Sequence, residues 1–359
     1  MERTIFHIDV NSAFLSWSAV KRLREDPAAL DLRTVPSAVG GDVKTRHGII
    51  SARSIPAKRY GIKTAMPVVK ALELCPELIL IPSDFETYRT YSAAFLDILH
   101  KYAPVVEQLS IDEAFLDMTG TEQSIRSAIF GGIVDGSLTG DEATRLRTLP
   151  FPMNAAVLIK NEIRDTLGFT VNVGISSNPL LAKMASDFEK PDKIHTLYPS
   201  EIEEKMWPLP IEDLYGCGRK TAEKLRRIGV HTIGDAAKLD ASLLTGILGA
   251  NAGAYIYEAA HGISKRAVSD VQEEAKSISN ELTTTVDIDA ENLETEGMRI
   301  MRALAVKVAG RLKKHDFYAG TIGFSAKTDD FQRRSIQQKL SDPTQDAEKI
   351  LAVAVDLMH

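Results

Sequence analysis

The spacing of hydrophobic residues changes along the chain, and each change predicts a different element. Residues 4–10 form an apolar run that ends in a carboxylate, a pattern typical of a buried strand. The apolar positions that follow recur every three or four residues and predict a helix: Phe14, Trp17, Val20 and Leu23. Asn11 or Ser12 can cap this helix, and Asp26-Pro27 ends it.

The next stretch of alternating and periodic residues predicts a sheet with helices beside it. Residues 35–60 predict short strands and turns, and residues 120–152, rich in Gly, Thr and Ser, predict an irregular inserted excursion. Helices are expected over 67–74, 85–102 and 155–167, and strands over 105–109, 114–117 and 169–175. This βα…ββ…αβ order is typical of a ferredoxin-like sheet that a separate module interrupts after its first strand.

The last third of the chain has a different character. Short helices with Gly punctuation are expected from 189 to about 265, and the polar stretch 266–276 predicts a linker. From 277 the expected order is strand, helix, two strands and helix, the last four over 294–314, 318–327, 331–340 and 344–358. With 359 residues, the chain is long enough for two to four domains.

Charge and composition narrow the function classes. The formal net charge of −6 argues against a nucleic-acid partner, but two local stretches, 40–70 and 298–340, are basic. The first carries Lys44, Arg46, Arg53, Lys58, Arg59, Lys63 and Lys70 against Asp42 alone. Such stretches either contact phosphate or form ordinary solvated helix faces. No apolar run approaches the roughly 20 residues of a membrane span, and the isolated Cys75 and Cys217 fit a reducing cytoplasm.

Three carboxylates are the strongest candidates for chemistry. Asp9 ends the first strand, and Asp112 and Glu113 lie at the bend of the hairpin in the same sheet. Clustered carboxylates need cations to stay ionised together, and oxygen-only ligands favour Mg²⁺. Two such ions would perform in-line phosphoryl displacement. Taken singly, an Asp at a strand end is usually a cap or a solvated residue.

A second candidate is the segment 214–225, which has the order hydrophobic, Gly, hydrophobic, Gly, helix. Gly216 and Gly218 would expose backbone N–H groups at a helix N-terminus, and Arg219 and Lys220 add positive charge. The pattern predicts a helix-hairpin-helix that holds the DNA backbone without reading sequence; the alternative is a helical turn with no ligand. Cys217 fills the central apolar position and is interpreted as packing.

Five motifs in this order resemble the Y family of translesion DNA polymerases across nearly the whole chain. The helix-hairpin-helix at 214–225 is the last of them, and the other four are F-H-I-D-V-N-S-A-F at 6–14, G-I-I-S-A-R-S-I-P-A-K-R-Y-G-I-K-T-A-M-P at 48–67, L-S-I-D-E-A-F-L-D at 109–117 and V-G-I-S-S-N-P-L-L-A-K-M-A-S-D-F-E-K-P at 173–191. S-I-D-E-A together with the motif at 173–191 is highly specific. The resemblance implies template-directed addition of deoxynucleotides to a primer, for lesion bypass.

The resemblance also implies roles for single residues. Asp9, Asp112 and Glu113 match the catalytic metal-binding carboxylates, and Val10 matches a residue whose backbone carbonyl touches a metal. Phe14 matches the steric gate, a ring that would collide with a ribose 2′-OH, unless it only packs in the core. Lys58 and Lys183 match triphosphate-binding positions, although each could be a surface lysine.

Some positions depart from the DinB-type pattern and favour the UmuC-like branch. Ile55 and Ala52 stand where Tyr and Thr often contact phosphate, so Arg53 is expected to substitute in nucleotide binding. Asn11 stands where an Asp is frequent, and Pro179 where a basic residue is frequent. The metal site is unaffected by these departures.

The fold that the resemblance implies is an α+β right-hand polymerase with a ferredoxin-like palm. We expect a palm over 1–12 and 83–188, small fingers over 13–82, a helical thumb with the helix-hairpin-helix over 189–265 and a little finger over 277–359. Since the chain stops after the last helix, the little finger is expected to be C-terminally truncated, without any clamp-binding peptide. A catalytically silent DNA-binding protein of the same fold and a nucleotide cyclase remain alternatives.

The little finger also carries a candidate DNA-binding face. In the expected strand 331–340, alternate residues share one face and point outward with Phe331, namely Arg333, Ser335, Gln337 and Lys339. These would contact phosphates without reading bases. Ile336 and Leu340, on the other face, are expected to pack on the helices. The expected partners are therefore primer–template DNA and deoxynucleoside triphosphates, with no membrane.

Overall fold

The computed structural model describes residues 3–41, 48–271 and 274–358. Lys44, Arg46 and Asp42 of the first basic stretch lie outside the described residues. The described chain falls into two compact units, one formed by 3–41 with 48–271 and the other by 274–358, and the break between them falls inside the expected linker. In the described part of the chain, no helix is long and apolar enough to cross a membrane.

Within the described residues, the first unit contains eight strands and the second contains two. They are β1 Ile5–Val10, β2 Ser37–Gly40, β3 Ile50–Arg53, β4 Ile79–Ile81, β5 Val105–Gln108, β6 Glu113–Asp117, β7 Val171–Ser176, β8 Ile194–Thr196, β9 Ala319–Lys327 and β10 Arg333–Thr344.

Helices carry most of the remaining chain. They are α1 Ala13–Glu25, α2 Ile55–Arg59, α3 Val68–Leu74, α4 Phe85–Tyr102, α5 Glu122–Asp135, α6 Gly140–Thr148, α7 Met153–Glu162, α8 Pro179–Asp187, α9 Arg219–Arg226, α10 Ile233–Ala237, α11 Ala241–Leu248, α12 Ala250–Ala260, α13 Met298–Lys314 and α14 Ala347–Met358. Short helical turns occupy Ile163–Leu167, Pro199–Glu201, Ile202–Met206, Ile211–Asp213 and Leu293–Gly297.

A five-stranded sheet in the order β5-β6-β1-β7-β8 organises the first unit. The first four of these strands are antiparallel neighbours, and β8 joins β7 in parallel. Their connections are those of the expected ferredoxin-like sheet, with the module that contains the sheet β3-β2-β4 inserted after β1. The alternation of side chains in β1 sends Phe6 and Ile8 into the main core with α4 and α7, and Ile5 into a separate cluster that includes Ala182 of α8.

Helix α8 lies very close to the sheet because Gly174 of β7 has no side chain. A Cβ at Gly174 would come within 2.0 Å of the Ala182 carbonyl oxygen and 2.5 Å of the Ser186 nitrogen. Asn178 caps the helix by accepting a hydrogen bond from the Leu181 N–H at 3.0 Å. The sequence therefore fixes both the start of α8 and its distance from the sheet.

Smaller cores complete the first unit. The sheet β3-β2-β4 packs with α2 and α3 around Ala38, Ile50 and Val68. Helices α9 to α12 form a second core that includes Cys217, which is buried as the sequence analysis expected. The first residues of the expected linker pack on this unit, since Arg266 forms an ion pair with Glu107 and lies over the Phe115 ring.

The second unit packs α13 and α14 on the hairpin β9–β10. The strand expected from 277 is wrong, because the described residues there adopt no strand. Strand β10 begins at Arg333, so Phe331 lies in the turn with a positive φ of 65° and does not share the strand face. The expectation that Ile336 packs on the helices is also wrong, since 52% of it is exposed; Leu340 does pack there.

The expectation of an irregular excursion over 120–152 is wrong as well. Helices α5 and α6 fill most of it, and Thr139 starts α6 with a reciprocal cap in which it accepts from the Glu142 N–H while Glu142 accepts from the Thr139 N–H. Ile125, Ile129 and Leu146 join the main core. The apolar spacing of these side chains, and not the Gly and Thr content, decides the structure.

Candidate active site

The sheet brings the three expected carboxylates to one edge. Asp9 at the end of β1 lies opposite Glu113 at the start of β6 in the antiparallel register. Asp112 directly precedes β6, and its carbonyl oxygen accepts a hydrogen bond from the Val10 N–H at 2.9 Å. Side chains separated by about a hundred residues in sequence are thus neighbours, because the end of β1 lies beside the start of the antiparallel strand β6.

Two lysines neutralise this edge. Lys183 Nζ lies 2.6 Å from Glu113 Oε2 and 3.6 Å from Asp9 Oδ2. Lys190 Nζ lies 2.8 Å from Asp9 Oδ2 and 2.8 Å from Asp187 Oδ1. Burial would lower the pKa of both ammonium groups, but the surrounding carboxylates outweigh it and raise the pKa of Lys183 and Lys190. Both lysines are therefore held in their charged form.

The pKa values of Asp112 and Glu113 are shifted in opposite directions. Burial raises the pKa of Asp112, and the charges of Asp9 and Glu113 raise it further against a hydrogen bond that Ser110 Oγ donates. Burial would also raise the pKa of Glu113, but contacts with His7 and Lys183 outweigh it and hold that pKa at about 2. The pKa values of these adjacent acids therefore differ because Glu113 contacts Lys183 and His7, whereas burial and neighbouring negative charge dominate at Asp112.

Two members of this network were missed by the sequence analysis. His7 is fully buried in β1, with Nε2 3.1 Å from Glu113 Oε2 and Nδ1 2.8 Å from Ser186 Oγ. A polar residue inside the apolar run 4–10 was the available signal. Lys190 stood in the quoted motif at 173–191, but only the folded chain places it beside Asp9.

The donor set fits a hard divalent cation. Asp9, Asp112 and Glu113 offer oxygen donors, which Mg²⁺ prefers, and cationic groups already lie against them. Over the described ranges of the chain, no three acidic, His or Cys side chains converge closely enough to hold a metal as they stand. Metal binding would therefore require Glu113 and Asp9 to turn from the lysines toward the cation.

A cavity of about 390 Å³ opens in front of the carboxylates. Its lining includes the acids Asp9 and Asp112, the apolar Val10, the aromatic ring of Phe14 and three cationic side chains, Arg53, Lys58 and Lys190. Burial lowers the pKa of Lys58, and the positive charges of Arg53 and Lys190 lower it further; burial also lowers the pKa of Arg53. Three cations that repel one another around a cavity favour an anionic ligand.

The residues that depart from the DinB-type pattern have structural explanations. Asn11 is buried and joins three segments, because its amide contacts Asn172, Thr170 and the Asp192 N–H. Ile55 lines the cavity as an apolar wall, next to Arg53 and Ser54. Arg53 donates to Thr64 Oγ1 at 2.6 Å, which directs the guanidinium along the cavity wall.

The glycine hairpin of the thumb has the expected form. Gly216 adopts a positive φ of 85°, and Gly218 immediately precedes α9. The Tyr255 hydroxyl donates to the Tyr215 carbonyl at 2.7 Å, and a Cβ on Gly216 would lie 2.5 Å from the Tyr255 ring. Arg219 is 86% exposed and Lys220 is exposed, so both are available at the helix start.

The four residues expected on the outward face of β10 are exposed, but so are Arg334, Ile336 and Gln338 between them, so burial does not show the expected alternation. Arg333, Ser335, Gln337 and Lys339 all lie exposed, opposite Lys327, Ser325, Gly323 and Thr321 of β9. Arg333 donates to Ser325 Oγ at 2.7 Å. The other face contacts the helices through Ile322, Phe324 and Leu340. One side of the hairpin is thus a polar surface with basic residues at both ends.

A palm sheet, an inserted fingers module and a helical thumb define a polymerase of the right-hand type, and the comparisons with known proteins agree. The model of the impB/mucB/samB family matches residues 8–187, its C-terminal domain matches 275–359, and its HHH motif matches 199–230. The chain belongs to this family, the Y family of DNA polymerases.

Individual relatives are similar over nearly the whole chain. DNA polymerase IV of Clostridium acetobutylicum is 39% identical over 99% of this chain and 82% of its own length. DNA polymerase IV 1 of Bacillus subtilis is 35% identical over 99% of this chain and 77% of its own length. A solved Y-family polymerase chimera of Dbh and Dpo4 has a TM-score of 0.74 at 22% identity, over 99% of this chain and 92% of that chain, and shares the fold. The closer placement in the UmuC-like branch stays a prediction.

Proposed function

We propose that this chain is a template-directed DNA polymerase that extends a primer by transferring a nucleotidyl group from a deoxynucleoside triphosphate, and that it serves lesion bypass. The observation that carries this is a cavity lined by Asp9 and Asp112 together with Arg53 and Lys58, with Glu113 paired opposite Asp9 on the neighbouring strand. Carboxylates for cations and cations for phosphate are the two requirements of phosphoryl transfer.

We assign the metal site to Asp9, Asp112, Glu113 and the Val10 carbonyl, and propose two Mg²⁺ ions. When bound, the ions activate the primer hydroxyl and neutralise charge on the triphosphate. Lys183 and Lys190 keep the carboxylates ionised and apart before loading, since their ammonium groups contact Glu113 and Asp9. Lys58, Arg53 and Lys183 would bind the triphosphate oxygens.

The cavity wall at Phe14 supplies sugar selection. Its ring lines the cavity near Asp9, where a ribose 2′-OH would meet carbon and lose hydration. The thumb hairpin binds the duplex backbone through Gly216, Gly218, Arg219 and Lys220. The β10 face of the little finger also binds the duplex backbone. The proposal also includes the four-part division into palm, fingers, thumb and little finger, a cytoplasmic location, and recruitment by a sliding clamp.

Primer extension on a primed template tests this function. Wild-type protein with Mg²⁺ should add nucleotides according to the template base, and Asp112→Ala should bind the same DNA without extending it. Extension by neither protein, with intact duplex binding, would favour a catalytically silent DNA-binding protein. Conversion of a nucleoside triphosphate to a cyclic product would identify a cyclase, which has no need of the thumb hairpin.

A further inference from the structure

The ring of Phe14 does not stand alone at the cavity wall. It stacks on the ring of Tyr88, with ring centroids 4.4 Å apart and planes 9° apart. Tyr88 has no exposed surface, whereas Phe14 is half-buried and reaches the cavity. In the described chain, Tyr88 lies behind the cavity wall and can act on a bound nucleotide only through Phe14.

The hydroxyl of Tyr88 reaches the backbone of the same residue. Ser18 Oγ donates to the Phe14 carbonyl at 2.8 Å, and the Tyr88 hydroxyl lies 3.3 Å from Ser18 Oγ. Because the Ser18 proton is used on the carbonyl, Tyr88 is the donor to Ser18. Ring stacking and this relay therefore fix both the ring and the backbone of Phe14 from one side chain.

Helix α4 holds Tyr88 rigidly. Asp84 caps the helix by accepting from the Thr87 N–H at 3.1 Å, and Lys21 of α1 lies 2.8 Å from Asp84. Trp17, also fully buried, lies 6.0 Å from the Tyr88 ring and closes the other side of the cluster. A buried aromatic cluster leaves few alternative rotamers, so the orientation of Phe14 follows from that of Tyr88.

We propose that Tyr88 is the positioning residue of sugar selection: it holds the Phe14 ring in the plane and depth at which a 2′-hydroxyl collides with it. This inference rests on the proposed gate role of Phe14. A gate ring that could tilt would yield to a ribose, because one hydroxyl differs from hydrogen by only about the length of a bond. Discrimination therefore depends on the stiffness behind the ring as much as on its bulk.

The neighbouring Phe85 provides a matched comparison. Its ring meets Phe14 edge-on at 6.2 Å and is 57% exposed, so it can move away freely. Tyr88 and Phe85 are three residues apart on the same helix and contact the same ring, but only Tyr88 is stacked and enclosed. Selectivity should therefore respond to Tyr88 and not to Phe85.

The experiment measures single-turnover insertion of a matched deoxynucleotide and its ribonucleotide, and reports the ratio of the two efficiencies. Tyr88→Leu should lower this preference by about threefold to tenfold, the range expected for losing one aromatic pair. Tyr88→Phe keeps the stack, and the hydrogen bond from Ser18 to the Phe14 carbonyl does not need the Tyr88 hydroxyl, so this variant should stay within about twofold, as should Phe85→Leu. Tyr88→Met replaces Tyr88→Leu if the latter is insoluble, since an unbranched chain fills an irregular gap.

A double variant separates this inference from the gate role itself. Phe14→Ala should lower the preference by more than Tyr88→Leu does, and adding Tyr88→Leu to Phe14→Ala should change it no further. A general loss of stability would lower both efficiencies together and leave their ratio unchanged. If Phe14→Ala relaxes selection while Tyr88→Leu and Tyr88→Met do not, the positioning role is wrong and the gate stands. If Phe14→Ala has no effect, both are wrong.

Discussion

The carboxylate edge of the palm and the basic face of β10 are both charged, but they are built in opposite ways. At the palm, Glu113 has 19% of its side chain exposed and contacts two partners from distant segments. On β10, Arg333 and Lys339 are exposed on one strand, and Arg333 donates a hydrogen bond to Ser325 Oγ of the paired strand β9. The first arrangement fixes single atoms, whereas the second fixes only a pattern of charge.

This difference separates two kinds of function. Atoms held by several partners can perform a reaction whose geometry must be accurate, because their positions are decided before substrate arrives. Exposed charges adapt to a polyanion and contribute nearly independently, since water and salt screen each one. Substitutions should therefore lower activity strongly at the carboxylate edge of the palm. They should have intermediate effects at the cavity wall and the thumb hairpin, and small additive effects on DNA binding at β10.

The steepest test removes a carboxylate. Asp112→Ala or Glu113→Ala should lower single-turnover insertion by roughly three orders of magnitude or more, since each removes several kcal/mol of charge stabilisation. Fold and duplex affinity, checked by circular dichroism and fluorescence anisotropy, should stay close to wild type. Glu189→Gln is the control, because Glu189 is 63% exposed and pairs only loosely with Lys193 at 3.6 Å. Near-normal insertion by either Ala variant at saturating Mg²⁺ would contradict the metal assignment.

An intermediate case lies on the cavity wall. Lys58→Ala should raise the nucleotide concentration needed for half-maximal insertion by about ten- to a hundredfold, the range for losing one charge-assisted contact. The matched control is Lys63→Ala, since Lys63 is an exposed lysine of the same fingers. Equal effects of the two substitutions would mean that net charge, and not the cavity position, binds the triphosphate.

The thumb hairpin should respond through its backbone. Gly216→Ala puts a side chain at a φ of 85° and at 2.5 Å from the Tyr255 ring, so the loop must shift. We expect duplex affinity to fall by about tenfold, the equivalent of 1–2 kcal/mol of strain. Gly246→Ala is the control, because a Cβ there meets no atom within 4 Å. Unchanged affinity in Gly216→Ala would remove this hairpin from the DNA interface.

The smallest effect is expected on β10. Arg333→Ala with Lys339→Ala should lower duplex affinity only a few-fold at low salt and flatten its salt dependence by about one to two units of slope. The change should be the same for different template sequences, and single-turnover insertion at saturating enzyme should stay near normal. A salt titration of anisotropy measures the slope. An unaltered slope would return this face to ordinary solvated surface.

Most residues of the candidate site could be predicted from the sequence, but fewer of the residues that surround it could. The carboxylates could be found because three acids in apolar strands have few structural uses, and α4 was predicted with its observed bounds, Phe85–Tyr102. Lys190 could not, since its partner Asp9 is supplied by packing of α8 on the sheet. This packing depends on the missing side chain at Gly174, and no pattern in the local sequence predicts that α8 approaches the sheet there.

Composition misled where it competed with periodicity. The Gly and Thr residues of 120–152 suggested loops, although Ile125 and Ile129 of α5, and Ala143 and Leu146 of α6, are spaced as on one face of a helix and are buried. In β10, alternation predicted one exposed and one covered face, but the hairpin has only two strands in the described chain, and Ile336 on the second face is exposed as well. Alternation indicates which face a residue shares, and neighbouring elements decide whether that face is covered.

The absence of a side chain at Gly174 determines how closely α8 can pack on the palm sheet. Any side chain there would force α8 outward, since its first atom would overlap the Ala182 carbonyl at 2.0 Å. Helix α8 carries Lys183 and Ser186, whose contacts with Glu113 and His7 measure 2.6 Å and 2.8 Å, and such bonds fail over shifts of about half an ångström. Anyone transplanting this palm into another scaffold must therefore copy the clearance between β7 and α8 before copying any charged residue.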